Sequence, residues 1–140
     1  AKDITSKEVC LVVRGKLEQE LAQMPPEEAA EFLAEFNIPA SAMDRVIQQS
    51  YALLELISFF TVISKEVRAW TIKRASPALE AAGVIHSDMQ KGFIRAEVIS
   101  FEDLMDAGSY TEGKKRGTVR LEGKTYEVQD GDVIQFRFNV

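Results

Sequence analysis

The chain has 140 residues, 46% of them hydrophobic and 28% charged, and this leaves room for one ordinary domain or a small domain with a helical appendage. The balance is that of a globular protein, and it excludes a disordered chain. The longest apolar stretch, Leu53 to Ile63, is broken by Glu55 and Ser58, far short of the roughly 20 residues of a membrane helix, and with a net charge of −5 composition alone makes no case for nucleic-acid binding.

No secretory signal is read at the start, where a basic segment and apolar core are missing. Val9 to Val13 (Val-Cys-Leu-Val-Val) is an unbroken apolar run, the pattern of a strand buried on both faces. Two readings stand for it: a strand of a larger parent whose sheet has been cut away, or an addition to an edge of the sheet that follows. Cys10, the only cysteine, is expected to be an inert core thiol. Alone it cannot form an internal disulfide, and it fits a reducing, cytoplasmic setting.

From Lys16 the period becomes helical. Pro25 and Pro26 open a helix, because the first N–H groups of a helix have no internal partner to lose. Ala29, Phe32, Leu33 and Phe36 make an apolar stripe opposite Glu27, Glu28, Glu31 and Glu35, and Asn37-Ile38-Pro39 stops it. A second helix begins near Ser41 and carries Met43, Val46, Ile47, Ser50, Tyr51 and Leu54 on one side. The short loop between the two predicts an antiparallel pair.

After Leu56 the signal turns to strand. Ile57 to Val62 and Val67 to Ile72 are rich in β-branched and aromatic residues, with a turn at Ser64-Lys65-Glu66. Ser76-Pro77 predicts a helix capped by the serine and running to about His86. Phe93 to Ile99 alternates, with Ile94, Ala96 and Val98 facing one way and Arg95 and Glu97 the other. Phe101 to Ala107 reads as a brief helical turn stopped by Gly108. Val119 to Leu121 and Thr125 to Val128 read as a second hairpin around Glu122-Gly123. A tight turn at Gln129 to Asp132 then leads to a last strand, Val133 to Val140, with Ile134, Phe136 and Phe138 inward and Gln135 and Arg137 outward.

Residues 1–64 carry five basic side chains against ten acidic ones, whereas residues 65–140 carry twelve of each. That shift marks a boundary near residue 60. A sheet around one main helix is the β-grasp arrangement, and about 80 residues suit it, so the fold class is α+β.

Three stretches carry a specific resemblance. Phe59-Phe60-Thr61-Val62 with Lys65 to Ile72, then Ala81 to Asp88 with Lys91 to Val98, then Arg120 to Lys124 with Asp130 to Ile134 and Phe136 to Val140 are similar to the C-terminal region of YchF-type (Obg-like) P-loop ATPases. The Ile-His-Ser-Asp and Asp-Gly-Asp elements also recur in TGS domains, which are ubiquitin-like β-grasp modules. The resemblance divides the chain into residues 1–17, the last strand and base-side loop of a nucleotide-binding domain; 18–56, a helical linker; and 57–140, a TGS-like domain. It implies a parent that hydrolyses ATP or GTP with Mg²⁺, and a C-terminal part that contacts the ribosome or structured RNA. Gly15, Lys16 and Leu17 would form the base-side loop, although Arg14-Gly15 replaces the family's Ser-Ala. In the segment leading into the helix after residue 77, Ala75 to Glu80 replaces Gly-Thr-Lys-Ala-Pro-Gln and removes a basic residue.

The chemistry available is limited by one absence: no Gly-x-x-x-x-Gly-Lys-[Ser/Thr] loop occurs in these 140 residues, so nothing here cradles a triphosphate. His86 has only Asp88 near it in sequence and reads as a structural residue at a helix end. One His and one Cys make no zinc set, so neither catalytic nor metal-binding residues are assigned. Trp70, Phe93 and Tyr126 would stack bases if exposed, but strand aromatics are expected in the core. Lys114, Lys115 and Arg116, followed by Arg120 and Lys124, form the densest basic cluster, in a glycine-flanked loop. It is the candidate RNA-contacting or partner-contacting surface. The competing expectations are a protein-interaction module without nucleic-acid binding, and a segment at 14–18 that completes a nucleotide pocket.

Overall fold

The computed structural model describes residues 10–63 and 66–139. The chain divides into two compact units, Ala1–Leu54 and Glu55–Val140. The first holds three helices among its described residues: α1 (Gly15–Leu21), α2 (Pro26–Glu35) and α3 (Ala42–Leu53). Pro26 occupies the first turn of α2, and the Ser41 hydroxyl caps α3 by accepting from the Asp44 amide at 3.1 Å. Both helix starts follow from the residue types at those positions.

The second unit is α+β with a mixed five-stranded sheet, in the order β2-β1-β5-β3-β4. β1 (Leu56–Ile63) and β2 (Glu66–Lys73) form an antiparallel hairpin in which Phe59 faces Trp70 and Ile57 faces Ile72. α4 (Ala78–Ile85) and α5 (Ser87–Lys91) follow, then β3 (Phe93–Ser100), α6 (Phe101–Ala107), α7 (Tyr110–Arg116), β4 (Arg120–Glu122) and β5 (Asp132–Phe138). β5 lies at the centre of the sheet, antiparallel to β3 and parallel to β1. The core fills the space between the sheet and α4. Ala78, Ala81 and Ala82 are small enough to let the helix settle against Ile57, Phe59, Ile72, Ala96, Val98 and Ile134. Phe136 meets Phe59 and Phe93 edge-on, with centroids at 6.2 and 6.0 Å.

The opposite face of β3 is covered as well. At Gly113 an added Cβ would lie 2.7 Å from Ile99 Cδ1, so a larger residue there would push the buried Ile99 side chain aside. The turn expected at Gln129 to Asp132 is present and joins β5 to β1. Asp130 Oδ1 accepts from the Ser58 amide at 2.8 Å, and the Gly131 amide donates to the Ser58 carbonyl at 2.9 Å. Gly131 has a φ of 85°, a conformation glycine adopts without a Cβ penalty.

Several expectations are corrected. Cys10 to Arg14 form neither strand nor helix, and Val9 lies outside the described residues. A strand exists only through a ladder partner, and the first unit supplies none among its described residues. Cys10 is accordingly exposed rather than a core thiol. α2 and α3 do not pack along their length as an antiparallel pair: α2 buries no residue and α3 only Ala42, leaving Met43 70% exposed.

In the second unit Pro77, not Ser76, is the N-cap of α4, and no side chain caps it. Thr125 to Val128 do not return as a hairpin strand. The Ala78 and Leu79 amides at the start of α4 take the Tyr126 and Lys124 carbonyls instead, at 2.8 and 3.2 Å. The unpaired amides of the helix outcompete a sheet edge for these acceptors. β3 does not alternate as expected. A register irregularity between Phe93 and Arg95 turns Phe93 inward and Ile94 outward, and Glu97 is buried because the second face is covered. The inward set of β5 loses Phe138, which is exposed near the strand end. α5 and α7 are helices that periodicity did not reveal, since each is too short to show a repeat.

Candidate functional site

In the first unit, Gly15, Lys16 and Leu17 sit in the opening turn of α1, where a loop was expected. Glu18, one residue on, does the anchoring. Its Oε2 accepts from the Ala42 amide at 2.8 Å, at the N-terminus of α3, and its Oε1 lies 3.6 Å from Arg45 Nη2. A carboxylate suits that position because the first amides of a helix carry partial positive charge. Arg45 Nη1 also reaches the Val12 carbonyl at 3.4 Å. Between these groups lies an open hollow of about 330 Å³, lined by Arg14, Leu17 and Glu18 on one side and by Phe36, Asn37 and Arg45 on the other.

In the second unit the basic run is helical, not a loop. Lys114, Lys115 and Arg116 form the last turn of α7, a favourable place for cations against the helix dipole. Each is already engaged. Lys114 Nζ lies 2.7 Å from Glu97 Oε2, and Lys115 Nζ lies 3.7 Å from Glu112. Arg116 reaches Asp106 at 3.1 Å and Glu112 at 3.5 Å. Glu97 is only 3% exposed and also accepts from Tyr110 Oη at 2.8 Å and from the Arg137 guanidinium. Burial pushes its carboxyl up, but the Lys114, Tyr110 and Arg137 hydrogen bonds outweigh that and hold it below the usual glutamate range. The Tyr110 phenol is pushed well above its ordinary value by burial and by that carboxylate.

Arg120, itself exposed, belongs to a second cluster built around the buried Asp132. Tyr126 Oη donates to Asp132 Oδ2 at 2.8 Å and receives Arg120 Nη2 at 3.0 Å, while the Gln129 amide also donates to Asp132 at 2.9 Å. Burial, followed by the Asp132 carboxylate, raises the Tyr126 phenol to about 12. Arg120 lies 3.8 Å from Glu122 as well. Lys124, by contrast, is exposed and has no ion pair among the described residues. The five cations therefore do not converge on one free surface.

The remaining candidates are structural. His86 is the N-cap of α5, its Nδ1 accepting from the Asp88 amide at 3.2 Å. Trp70 packs on the core and donates to Thr61 Oγ1 at 2.9 Å; Phe93 is buried and Tyr126 is engaged as described. No stacking platform forms from them. Among the described residues no group of three His, Cys, Asp or Glu side chains is placed to hold a metal ion. No described helix is long and apolar enough to cross a membrane.

Residues 56–139, which fall in the sheet unit, match the family model YchF-GTPase_C, whose description is a protein of unknown function (DUF933). The chain belongs to the YchF family. It is 52% identical over 130 residues to the ribosome-binding ATPase YchF of Bacillus subtilis (strain 168), covering 93% of this chain and 36% of that protein. It is 50% identical over 123 residues to Obg-like ATPase 1 of Oryza sativa subsp. japonica, covering 88% and 31%. The structure of the Schizosaccharomyces pombe YchF GTPase is similar with a TM-score of 0.75 at 34% identity, over 86% of this chain and 32% of that one. The chain thus spans about a third of the length of these YchF relatives.

Sequence reasoning missed Glu18 and Glu97. Glu18 enters only as part of the 14–18 segment read as a nucleotide-pocket wall, and Glu97 only as a residue facing away from Ile94, Ala96 and Val98. A glutamate between apolar neighbours in Ala-Glu-Val-Ile was the available signal for Glu97.

Proposed function

We propose that the chain is the C-terminal, partner-binding part of a YchF-type nucleotide hydrolase, and that its sheet unit is a β-grasp module of the TGS kind contacting the ribosome or structured RNA. One observation carries this reading: the family match falls on the sheet unit, and relatives that align across that unit are named ribosome-binding ATPases. The β-grasp assignment draws on β1 and β5 lying parallel at the middle of a mixed sheet with α4 across one face.

The parent would hydrolyse ATP or GTP with Mg²⁺ through residues outside these 140. Gly15, Lys16 and Leu17 would supply at most one wall of its base pocket, and the expected domain limits at 17 and 56 belong to the same proposal. The protein would work in the cytoplasm, where ribosomes are. A second reading, a ubiquitin-like protein-interaction module without nucleic-acid binding, draws support from the internal pairing of the α7 cations.

Cosedimentation of the 140-residue chain with ribosomes separates the two. The first reading expects pelleting at low salt and steep release as salt rises, because cation–phosphate contacts release counterions. Failure to pellet at low salt would overturn it.

A further inference from the structure

The geometry points to Lys73, Arg74 and Lys124, at the end of the sheet unit where α4 begins, as the surface that meets the phosphate backbone of structured RNA, in place of the basic run on α7. This rests on the RNA-contact reading above and says where on the unit the contact is made.

Backbone hydrogen bonds bring these three positions together. The Ser76 amide donates to the Lys73 carbonyl at 3.2 Å, and Ser76 in turn accepts from the Val128 amide at 3.1 Å. Pro77 bridges to Glu127, and the Leu79 amide reaches the Lys124 carbonyl. The end of β2, the first turn of α4 and the 123–128 segment therefore form one continuous strip. Arg95 borders it on β3, since an added Cβ on Gly123 would lie 3.4 Å from Arg95 Nη1. The first two amides of α4 are consumed by carbonyls, so the cations and not the helix end would hold phosphate.

Availability separates this strip from α7. Lys73, Arg74, Arg95 and Lys124 are exposed and carry no ion pair among the described residues. The carboxylates on the same segments are Glu55, Glu80 and Glu127, so cations are in excess. Around α7, Lys114, Lys115, Arg116, Arg120 and Arg137 are matched in number by Glu97, Asp106, Glu112, Glu122 and Asp132, and each of these cations lies in at least one ion pair. A cation taken from such a pair leaves its carboxylate beside the incoming phosphate, which repels it. An unpaired exposed cation gives up only counterions, and that release drives the association. Lys114 is the most committed of all, because its partner Glu97 is buried and would lose one of its two cations.

The test measures binding of the full chain to a labelled RNA hairpin over a range of salt concentrations. Two variants are compared, Lys73→Gln/Arg74→Gln/Lys124→Gln and Lys115→Gln/Arg116→Gln, each checked for unchanged circular dichroism. Each phosphate-contacting cation contributes roughly one to the slope of log affinity against log salt. The triple variant should lose roughly three from that slope, and the α7 variant should keep it. An α7 variant that loses slope as much as the triple variant, or more, overturns the assignment while leaving the RNA reading in place. A parent chain that does not bind at low salt overturns the RNA reading itself, and the assignment falls with it.

Discussion

The two units use similar amounts of apolar sequence and do different things with it. From Glu55 onward the apolar residues interdigitate: Phe59, Ala81, Ala96, Val98 and Ile134 are shut off from water, and even the polar residues Glu97 and Asp132 are buried inside complete hydrogen-bond sets. Before it, among the described residues, Leu21 and Ala42 are the buried apolar ones, and Phe36, Met43, Val46, Ile47 and Leu54 stay exposed. The difference lies in geometry rather than composition. A sheet offers a broad face on which one helix of small residues can settle, whereas short helices that do not pack along their length bury little. Stability should therefore be concentrated after residue 55, with the first unit held by a few polar anchors.

That contrast can be broken or sharpened by substitution. The largest effect is expected in the sheet core, where Phe59→Ala should cost about 3–5 kcal/mol in urea denaturation, since a fully buried aromatic leaves a cavity. A loss under 1 kcal/mol would mean that the sheet unit is not the packed half.

Next comes Glu97→Gln, expected to cost about 2 kcal/mol in the same measurement. The loss is smaller than for a fully buried ion pair because Lys114 and Arg137 are about half exposed and can return to water. This substitution also has a signature in pH. The folded carboxyl titrates below its reference of 4.5, so its contribution is complete above that value and is lost as pH falls through the lower folded one. The gap between parent and variant should shrink on acidification below about pH 4.5, and a gap that widened would refute the Glu97 network as the cause.

In the first unit, Glu18→Gln should cost about 1 kcal/mol, the worth of a carboxylate at a helix N-terminus, read as loss of helical circular dichroism on heating. The smallest change is expected at Met43→Ala, within about 0.5 kcal/mol, because its side chain is already in water. A cost of 2 kcal/mol there would show that the exposed stripe of α3 is covered in solution.

Much of the second unit was legible from local pattern. β1 and β2 announce themselves by β-branched and aromatic residues, Gly108 stops α6 in the left-handed conformation expected of a helix end, and the Asp130-Gly131 turn lies where its residues require it. The candidate site was legible in part. The density of cations at 114–116 is visible in the sequence, and Glu112 is their neighbour within α7, but Glu97 on β3 and Asp106 on α6 reach them only when those elements pack. Lys73 and Arg74 drew no notice because two cations at a strand end are ordinary, and Lys124 reaches them only through the loop that caps α4.

The sequence alone determined the helix starts at Pro26 and Ser41, the strand–strand–helix order after Leu56, the absence of a phosphate-cradling loop in these residues, and the family. Each depends on residues near one another in the chain, or on a pattern preserved in order. The tertiary structure decided that Cys10 is exposed, that Thr125 to Val128 cap a helix instead of forming a strand, and that Lys114 is held by a buried carboxylate while Lys124 has no ion pair among the described residues. Those outcomes are competitions for hydrogen-bond partners and for burial between segments distant in sequence, and no local pattern records which partner wins.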